Sequence, residues 1–165
     1  MILKSIRNVS QEELANFSCG IHQLDYFLKK YALSNDQAGY GKTFVLQDDN
    51  VTVGFFTICS AQIKYESYPN PTKEILPLYP IPCIRIARLA VNKELQNKGY
   101  GKELLRQAFL KIVAASVDIG VKLVLVDAKE TSKMFYEKYG FRLLLGESLT
   151  YYLPVETIVE AIKPE

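Results

Sequence analysis

The chain reads as a mixed α/β (α+β) fold, a sheet with flanking helices, in a single domain over residues 1–165. Three observations predict it. Two strongly apolar runs, CIRIARLAV (83–91) and KLVLVDA (122–128), flank a helical stretch at 100–117. A helix between two such runs is a crossover, which makes the strands parallel neighbours. Two earlier β-rich runs, TFVLQ (43–47) and VTVGFFTICSAQI (51–63), are joined by Asp48-Asp49-Asn50, the signature of a hairpin. Early strands joined as a hairpin exclude a doubly wound parallel sheet.

At the N-terminal end, ILKSI (2–6) is a short strand. From Ile21 to about Gln37, Ile21, Leu24, Phe27, Leu28, Tyr31 and Ala32 recur at helical spacing, with Lys29 and Lys30 on the other side. Ser18 or Gly20 is the candidate cap, and Gly39-Tyr40-Gly41 breaks the pattern. Residues 65–82 hold Pro69, Pro71, Pro77, Pro80 and Pro82, so they read as a loop. Helix 100–117 buries Leu104, Leu105, Ala108, Phe109, Ile112 and Val113, and Gly120 punctuates its end. Helix 130–139 stops at Gly140, and FRLLL (141–145) and SLTYYL (148–153) give a final strand pair. The tail carries Val155, Ile158, Val159 and Ile162, a face that covers either the core or a partner. There is no internal repeat and no linker.

Composition sets the limits. Hydrophobic residues make up 48% and charged ones 23%, ordinary for a globular protein of this size. No apolar run reaches the roughly 18 residues of a membrane span, and the N-terminus lacks a signal-peptide layout. A cytoplasmic location follows by default. Cys19, Cys59 and Cys83 are scattered and read as reduced thiols. With His22 as the single histidine, no metal is expected. Net charge is +2; the last twelve residues carry −2 through Glu156, Glu160, Glu165 and Lys163, leaving +4 elsewhere. That suits an anionic partner or a plain solvated surface.

Around Gln96-Asn97-Lys98-Gly99-Tyr100-Gly101 a strand passes through glycines into a helix. Such a junction offers free backbone N–H groups and the positive end of the helix dipole, and glycine lets a phosphate come close. It is not a P-loop, since Gly99 and Gly101 lack both the spacing and the Lys-Ser/Thr pair. It is not a dinucleotide fingerprint, since position 104 is Leu104. The bland reading is a helix start without a ligand.

Leu89-Ala90-Val91 followed by Gln96-x-x-Gly99-x-Gly101 resembles the acetyl-CoA pyrophosphate loop of the GNAT superfamily of N-acetyltransferases. Phe135-Tyr136-Glu137-Lys138-Tyr139-Gly140-Phe141 resembles the family's second landmark, at the expected separation. Phe17-Ser18-Cys19-Gly20, Leu24-Asp25, Thr43-Phe44-Val45-Leu46, Ala87-Arg88-Leu89 and Leu149-Thr150-Tyr151-Tyr152-Leu153 are similar to one subgroup. That subgroup contains toxins of toxin–antitoxin pairs that acetylate the amino group of aminoacyl-tRNA. The resemblance implies the GNAT fold: a mostly antiparallel mixed sheet with a central parallel pair and flanking helices.

It also implies roles. Acetyl-CoA would be the cosubstrate, and a neutral primary amine would attack its thioester. Backbone N–H groups of Gln96, Asn97, Lys98, Gly99, Tyr100 and Gly101 would bind pyrophosphate, with Lys98 and Lys102 adding charge; for both lysines the alternative is a solvated surface. Leu89, Ala90 and Val91 would lend backbone bonds to the pantetheine arm, and Val91 N–H would polarise the thioester carbonyl. Tyr136 stands where the family has its general acid; Tyr139 is packing or rim. Arg88 either pairs with a structural carboxylate or faces the acceptor. Lys129 departs from the family's usual Asn, which puts a pantetheine contact there, and Ser132, in doubt. Neither Glu66 nor Glu94 is marked as a base by spacing.

An α-amino group near pKa ~8 needs less help from a base than a lysine near ~10.4. That fits the acceptor the subgroup resemblance implies, the amino group of aminoacyl-tRNA, with tRNA and a small antitoxin as partners; no membrane is expected. Alternatives are a small-molecule amine or a protein N-terminus, or a CoA-sensing or nucleic-acid-binding module without turnover. Whether the chain forms a homodimer stays open.

Overall fold

The computed structural model describes residues 1–163, so Glu165, counted in the tail's charge, lies outside the described residues. The strands are β1 (Ile2–Ser5), β2 (Lys42–Asp48), β3 (Val51–Ile63), β4 (Ile81–Val91), β5 (Leu123–Asp127), β6 (Arg142–Leu143) and β7 (Thr150–Pro154). Among the described residues they form one sheet in the order β1-β2-β3-β4-β5-β7-β6. β4 and β5 are the parallel pair, as the crossover predicted, and the sheet is mixed. The helices are α1 (Gln11–Leu14), α2 (His22–Tyr26), α3 (Ala32–Ala38), α4 (Tyr100–Ser116), α5 (Lys133–Lys138) and α6 (Val155–Ile162). By contacts the chain divides into two compact units. The first holds Met1–Cys59 and Ile86–Leu110; the second holds Ser60–Arg85 and the residues from Lys111 onward.

In the first unit β1 pairs antiparallel with β2 (Leu3 opposite Leu46), and β2 pairs antiparallel with β3 (Phe44 opposite Phe56). Asp49 and Asn50 both sit at positive φ, 44° and 63°, which the tight two-residue turn of a twisted hairpin requires. Its core gathers Ile6, Leu14, Phe17, Phe27, Leu28, Val45 and Phe55. Phe17 meets Phe55 edge-on at 5.8 Å between centroids, an arrangement aromatic quadrupoles favour.

Apolar periodicity does not reveal α1, although Ser10-Gln11-Glu12-Glu13 is a capping box. Ser10 Oγ accepts from Glu13 N (3.3 Å) and the Glu13 carboxylate accepts from Ser10 N (2.7 Å). Glu13 also accepts from Lys4 Nζ (3.0 Å) and Gln47 Nε2 (3.1 Å), which ties α1 to β1 and β2. The predicted helix from Ile21 is a composite: α2, a π-helical turn Phe27–Tyr31, then α3. Neither Ser18 nor Gly20 caps it. Ile21 holds that position without a side-chain cap, and Asp25, one turn in, accepts from Cys19 N (2.8 Å) and Ser18 Oγ (2.9 Å). Gly39, at φ 84°, ends α3 as predicted.

Gly54 on β3 is where backbone must come close. A Cβ there would lie 2.5 Å from the Ala90 carbonyl oxygen and 2.5 Å from Leu104 Cδ1. Any side chain would push β4 and α4 away from β3.

In the second unit β5 and β7 are antiparallel (Leu125 opposite Tyr152), with β6 beside β7. Tyr68, Ile81, Cys83, Leu123, Leu125, Leu144 and Tyr152 form its core. The predicted 65–82 loop ends early. β4 starts at Ile81, so Pro82 lies in the strand, where its carbonyl accepts from Lys122 N (2.8 Å). Asn70 brackets Glu74 through its N–H and C=O, and Glu74 pairs with Lys122. The tail forms α6, with Val155 and Ile158 buried and the helix packed on β7. Val155 and Ile158 thus cover the core, whereas Ile162, from the same predicted face, is 45% exposed. The helix predicted over 130–139 is shorter, Lys133–Lys138, and FRLLL contributes only Arg142–Leu143 to the sheet. Cys19, Cys59 and Cys83 are free thiols, and burial pushes the thiols of Cys19 and Cys83 up to about 11.

Gly54→Val is expected to cost about 1–3 kcal/mol, because the clashing atoms include backbone that cannot rotate away. Differential scanning calorimetry should show Tm lowered by about 5–10 °C; an unchanged Tm would contradict the close approach. The bond from Ser10 N, with those from Lys4 and Gln47, holds the Glu13 carboxyl down from 4.5 to about 2. A carboxylate with a depressed folded pKa stabilises above its unfolded value and loses that effect as pH falls through its folded value. The Glu13 contribution is therefore present above pH 4.5 and lost towards pH 2. Glu13→Gln should flatten the acid limb of a denaturation-versus-pH profile over that window.

Candidate active site

β4 ends in the first unit at Leu89-Ala90-Val91, and backbone and side-chain bonds then pin the turn beyond it. Asn92 N donates to Val53 O (2.8 Å), and Asn92 Oδ1 accepts from Glu94 N (3.1 Å), opening a 3-10 turn over Lys93–Leu95. Lys93 N donates to Ser18 O (2.8 Å). Gln96 contributes something the sequence did not suggest: its side-chain Nε2 donates to both Cys19 O (3.0 Å) and Val91 O (3.1 Å). The amide thus clamps the turn to the end of β4 and to the segment before α2.

Asn97 and Gly99 come next, at φ 60° and 90°. Two left-handed residues within three positions reverse the chain sharply enough for α4 to start at Tyr100. Glu103 N donates to Gly99 O (3.2 Å), the bond that opens the helix. The N–H groups of Tyr100, Gly101 and Lys102 precede it and have no intrahelical acceptor. Their dipoles and the helix macrodipole make this end attractive to an anion. Lys98 leans back, its Nζ on Glu94 O (3.0 Å), while Lys102 is exposed. Glu94 is exposed beside the turn.

Arg88 lies on the same strand. The expected alternatives were a structural carboxylate partner or a place facing the acceptor, and the partner the structure shows is an aromatic ring. Its guanidinium carbon sits 3.5 Å from the centre of the Phe27 ring, and no ion pair involves it among the described residues. Cation–π contact lets the charge survive half-buried without a carboxylate. Burial lowers its pKa from the ordinary 12.5, partly countered by Cys59, and the side chain keeps its charge near neutral pH.

Tyr136 belongs to the second unit and sits on α5. Gly140, at φ 93°, ends that helix: Phe141 N donates to Tyr136 O (3.2 Å) and Gly140 N to Glu137 O (3.1 Å). The Gly-Phe pair of the motif is therefore the cap that fixes the tyrosine's own backbone. Phe135 and Phe141 meet the Tyr136 ring edge-on at 5.1 and 5.5 Å, leaving the residue only 7% exposed. Its hydroxyl makes no hydrogen bond among the described residues, yet no fully buried side-chain polar atom there lacks a partner. The ring is thus enclosed while the hydroxyl keeps access to the surface. Burial pushes the phenol up to about 12, so it stays protonated and able to donate.

Around it, Tyr151 OH donates to Glu137 Oε1 (3.0 Å), fastening α5 to β7. Ser132 Oγ is spent on its own turn, accepting from Lys129 N (3.0 Å) and donating to Lys129 O (3.2 Å). Tyr139 packs on Phe135 under Lys138, as a rim residue does. Glu66 is exposed.

The structure brings Arg88, Leu89, Ala90, Val91 and the Gln96–Lys102 turn together in the first unit. A hollow of about 390 Å³ beside α6 contains none of the predicted residues. Among the described residues no cluster of three or more His, Cys, Asp or Glu side chains suits a metal ion. No helix there is long and apolar enough to cross a membrane. Sequence reasoning missed Gly54, Phe27 and the Gln96 side chain. Only Gly54 left a signal, as a lone glycine inside a strand pattern.

Residues 39–143 match the family profile described as an acetyltransferase (GNAT) domain. A tRNA-acetylating toxin of Mycobacterium tuberculosis (strain ATCC 25618 / H37Rv) is 33% identical over 133 residues, 80% of each chain. A probable toxin TacT of Sinorhizobium fredii (strain NBRC 101917 / NGR234) is 31% identical over 160 residues, 90% of this chain and 88% of the other. The solved structure of AtaT complexed with acetyl-methionyl-tRNAfMet superposes with a TM-score of 0.88 at 23% identity. It covers 98% of this chain and 99% of that one, a likeness of fold.

A raised Tyr136 pKa also bears on stability. The folded protein holds that proton up to about pH 12, whereas an ordinary phenol releases it near 10. Its contribution is complete below pH 10 and falls away as pH rises towards 12. Denaturant titrations across that range should show a shallower alkaline loss for Tyr136→Phe than for wild type.

Proposed function

Because this chain belongs to the GNAT acetyltransferase family, we propose that it transfers acetyl from acetyl-CoA to the α-amino group of an aminoacyl-tRNA. In this reading its 165 residues act as one domain in the cytoplasm, as a toxin held in check by a small antitoxin. The observation that carries the reading is the strand-to-helix junction at Leu89–Lys102, where the first N–H groups of α4 have no intrahelical acceptor, in a chain 33% identical to a tRNA-acetylating toxin.

The outward N–H groups of Tyr100, Gly101 and Lys102, with those of Gln96, Asn97, Lys98 and Gly99, receive the pyrophosphate, and Lys102 adds charge. Lys98, drawn back to Glu94 O, serves mainly to set the turn. Leu89, Ala90 and Val91 lend backbone bonds to pantetheine, and Val91 N–H polarises the thioester carbonyl. A neutral amine attacks that carbon; the C–N bond forms, the C–S bond breaks, and the amine's surplus proton leaves to solvent.

The electrons of the broken bond end on sulfur, where the Tyr136 hydroxyl meets them. A phenol near 12 facing a thiol of about 8.5 holds its proton, so its part is to donate a hydrogen bond to the thiolate. Arg88, charged and without a carboxylate partner among the described residues, serves the acceptor side. No base is marked by the spacing of Glu66 or Glu94, which fits an acceptor amine that is partly neutral at pH 7.

Expression of the chain in a bacterium, beside a Tyr136→Phe copy, tests the reading. Wild type should arrest growth and leave acetylated aminoacyl-tRNA in the extract, while the variant should lower kcat by about 10²–10³. Both proteins should gain thermal stability from acetyl-CoA, since Phe keeps the ring packing. Normal growth with turnover on free polyamines or peptide N-termini would assign a different acceptor. Absence of any acetyl-CoA thermal shift would overturn the enzyme reading altogether.

A further inference from the structure

The composite helix in the first unit carries a feature its packing does not need. Five residues apart on an α-helix are about 140° apart in projection and face different ways. Between Tyr26 and Tyr31 runs the π-helical turn Phe27–Tyr31, whose i→i+5 bonding brings the two onto one face. Their rings meet edge-on at 5.5 Å, and His22 stacks on Tyr26 at 5.8 Å. The result is a continuous aromatic row. Its tyrosines are 46% and 49% exposed, while Phe27, Leu28 and Ala32 on the other side fill the core.

Charge around the row is one-sided. Between Ile21 and Lys42 the acids are Asp25 and Asp36, and both are engaged inward. Asp25 accepts from Ser18 Oγ and Cys19 N. Asp36, 2% exposed, accepts from Arg7 Nε (2.7 Å) and Thr43 N (3.1 Å) and pairs with Lys42. Lys30 is exposed next to Tyr31, and Lys29 donates to Ala15 O (3.2 Å) while its charge helps hold the Asp25 carboxyl low. The outer face thus combines three rings and two ammonium groups with no outward carboxylate from its own segment. A hydrogen bond with Tyr26 raises the Tyr31 phenol, which holds its proton on that ring.

Exposed aromatic rings beside cations are what unpaired nucleotides require: bases stack on rings and phosphates meet lysines. A duplex, read through its grooves and backbone, has no use for such rings. We propose that His22, Tyr26 and Tyr31 form a stacking platform for unpaired nucleotides of the acceptor RNA, with Lys29 and Lys30 on its phosphates. The proposal rests on the reading of the acceptor as an aminoacyl-tRNA and names the surface that holds its single-stranded end.

Two measurements test it. In the first, a fluorescently labelled single-stranded RNA octamer and its duplex are titrated with wild type, Tyr26→Ala/Tyr31→Ala and Tyr26→Phe/Tyr31→Phe. The alanine pair should weaken single-strand binding roughly tenfold or more, the phenylalanine pair should retain it, and duplex binding should not discriminate. In the second, steady-state acetylation of aminoacyl-tRNA should show KM for the RNA raised by a similar factor in the alanine pair. There kcat and KM for acetyl-CoA should not move, a split that a folding defect would not produce. Equal octamer affinity in wild type and the alanine pair, or none in wild type, overturns the platform. Failure of wild type to acetylate any aminoacyl-tRNA removes the functional reading, while the octamer titration still decides the platform by itself.

Discussion

Everything at the candidate CoA-binding turn depends on a missing side chain. At Gly54 the space a Cβ would fill is already taken by the Ala90 carbonyl and a Leu104 methyl, each at 2.5 Å. That contact lets β3 lie against the end of β4 and the first turns of α4 together. Once they are close, Val53 O can take the Asn92 N–H, and the Gln96 amide can reach both Val91 O and Cys19 O. A strand end, a 3-10 turn and a helix start are thereby held in one geometry before any ligand arrives. Preorganisation of this kind means that a bound pyrophosphate need not order the loop itself.

In the first unit three carboxylates, Asp36, Asp25 and Glu13, hold elements together by accepting from several donors each. Burial alone would raise the Asp36 carboxyl, but Arg7, Thr43 N and Lys42 hold it below the usual range. Burial opposes ionisation of Asp25 as well, yet Cys19 and Ser18 keep it low. Glu13 joins α1 to two strands in the same manner.

The parts of the fold that were legible in the sequence are those with local causes. Asp49-Asn50 made the hairpin because the tight turn needs left-handed residues, and Gly140 ended α5 for the same reason. The glycine-marked passage into α4 at Gln96–Gly101 was legible too, because a tight turn into a helix start is a matter of backbone conformation. The hidden parts depend on tertiary context. Nothing in Arg88 announces that Phe27 will lie beneath it, 61 residues earlier in the chain. Gln96 was read for its N–H, but its side chain acts on a carbonyl 77 residues away. The shortening of α5 also escaped the pattern, since the Ser132 hydroxyl diverts residues before Lys133 into a turn. The capping box at Ser10 is a local signal of another kind, one that apolar periodicity does not register.

The π-helical turn is in effect one residue more than an α-helix of the same span would hold. Deleting any residue from Phe27 to Tyr31 would let the segment relax into uninterrupted α-helix, with nearly the same composition and the same apolar content. Yet everything on one side of the deletion would turn by about 100° relative to the other. Tyr26 and Tyr31 would part company, and Phe27 and Ala32 would not both keep their places in the core. The surface this helix presents is therefore encoded as much in its residue count as in its residue types, and a change of length would alter it more than most substitutions.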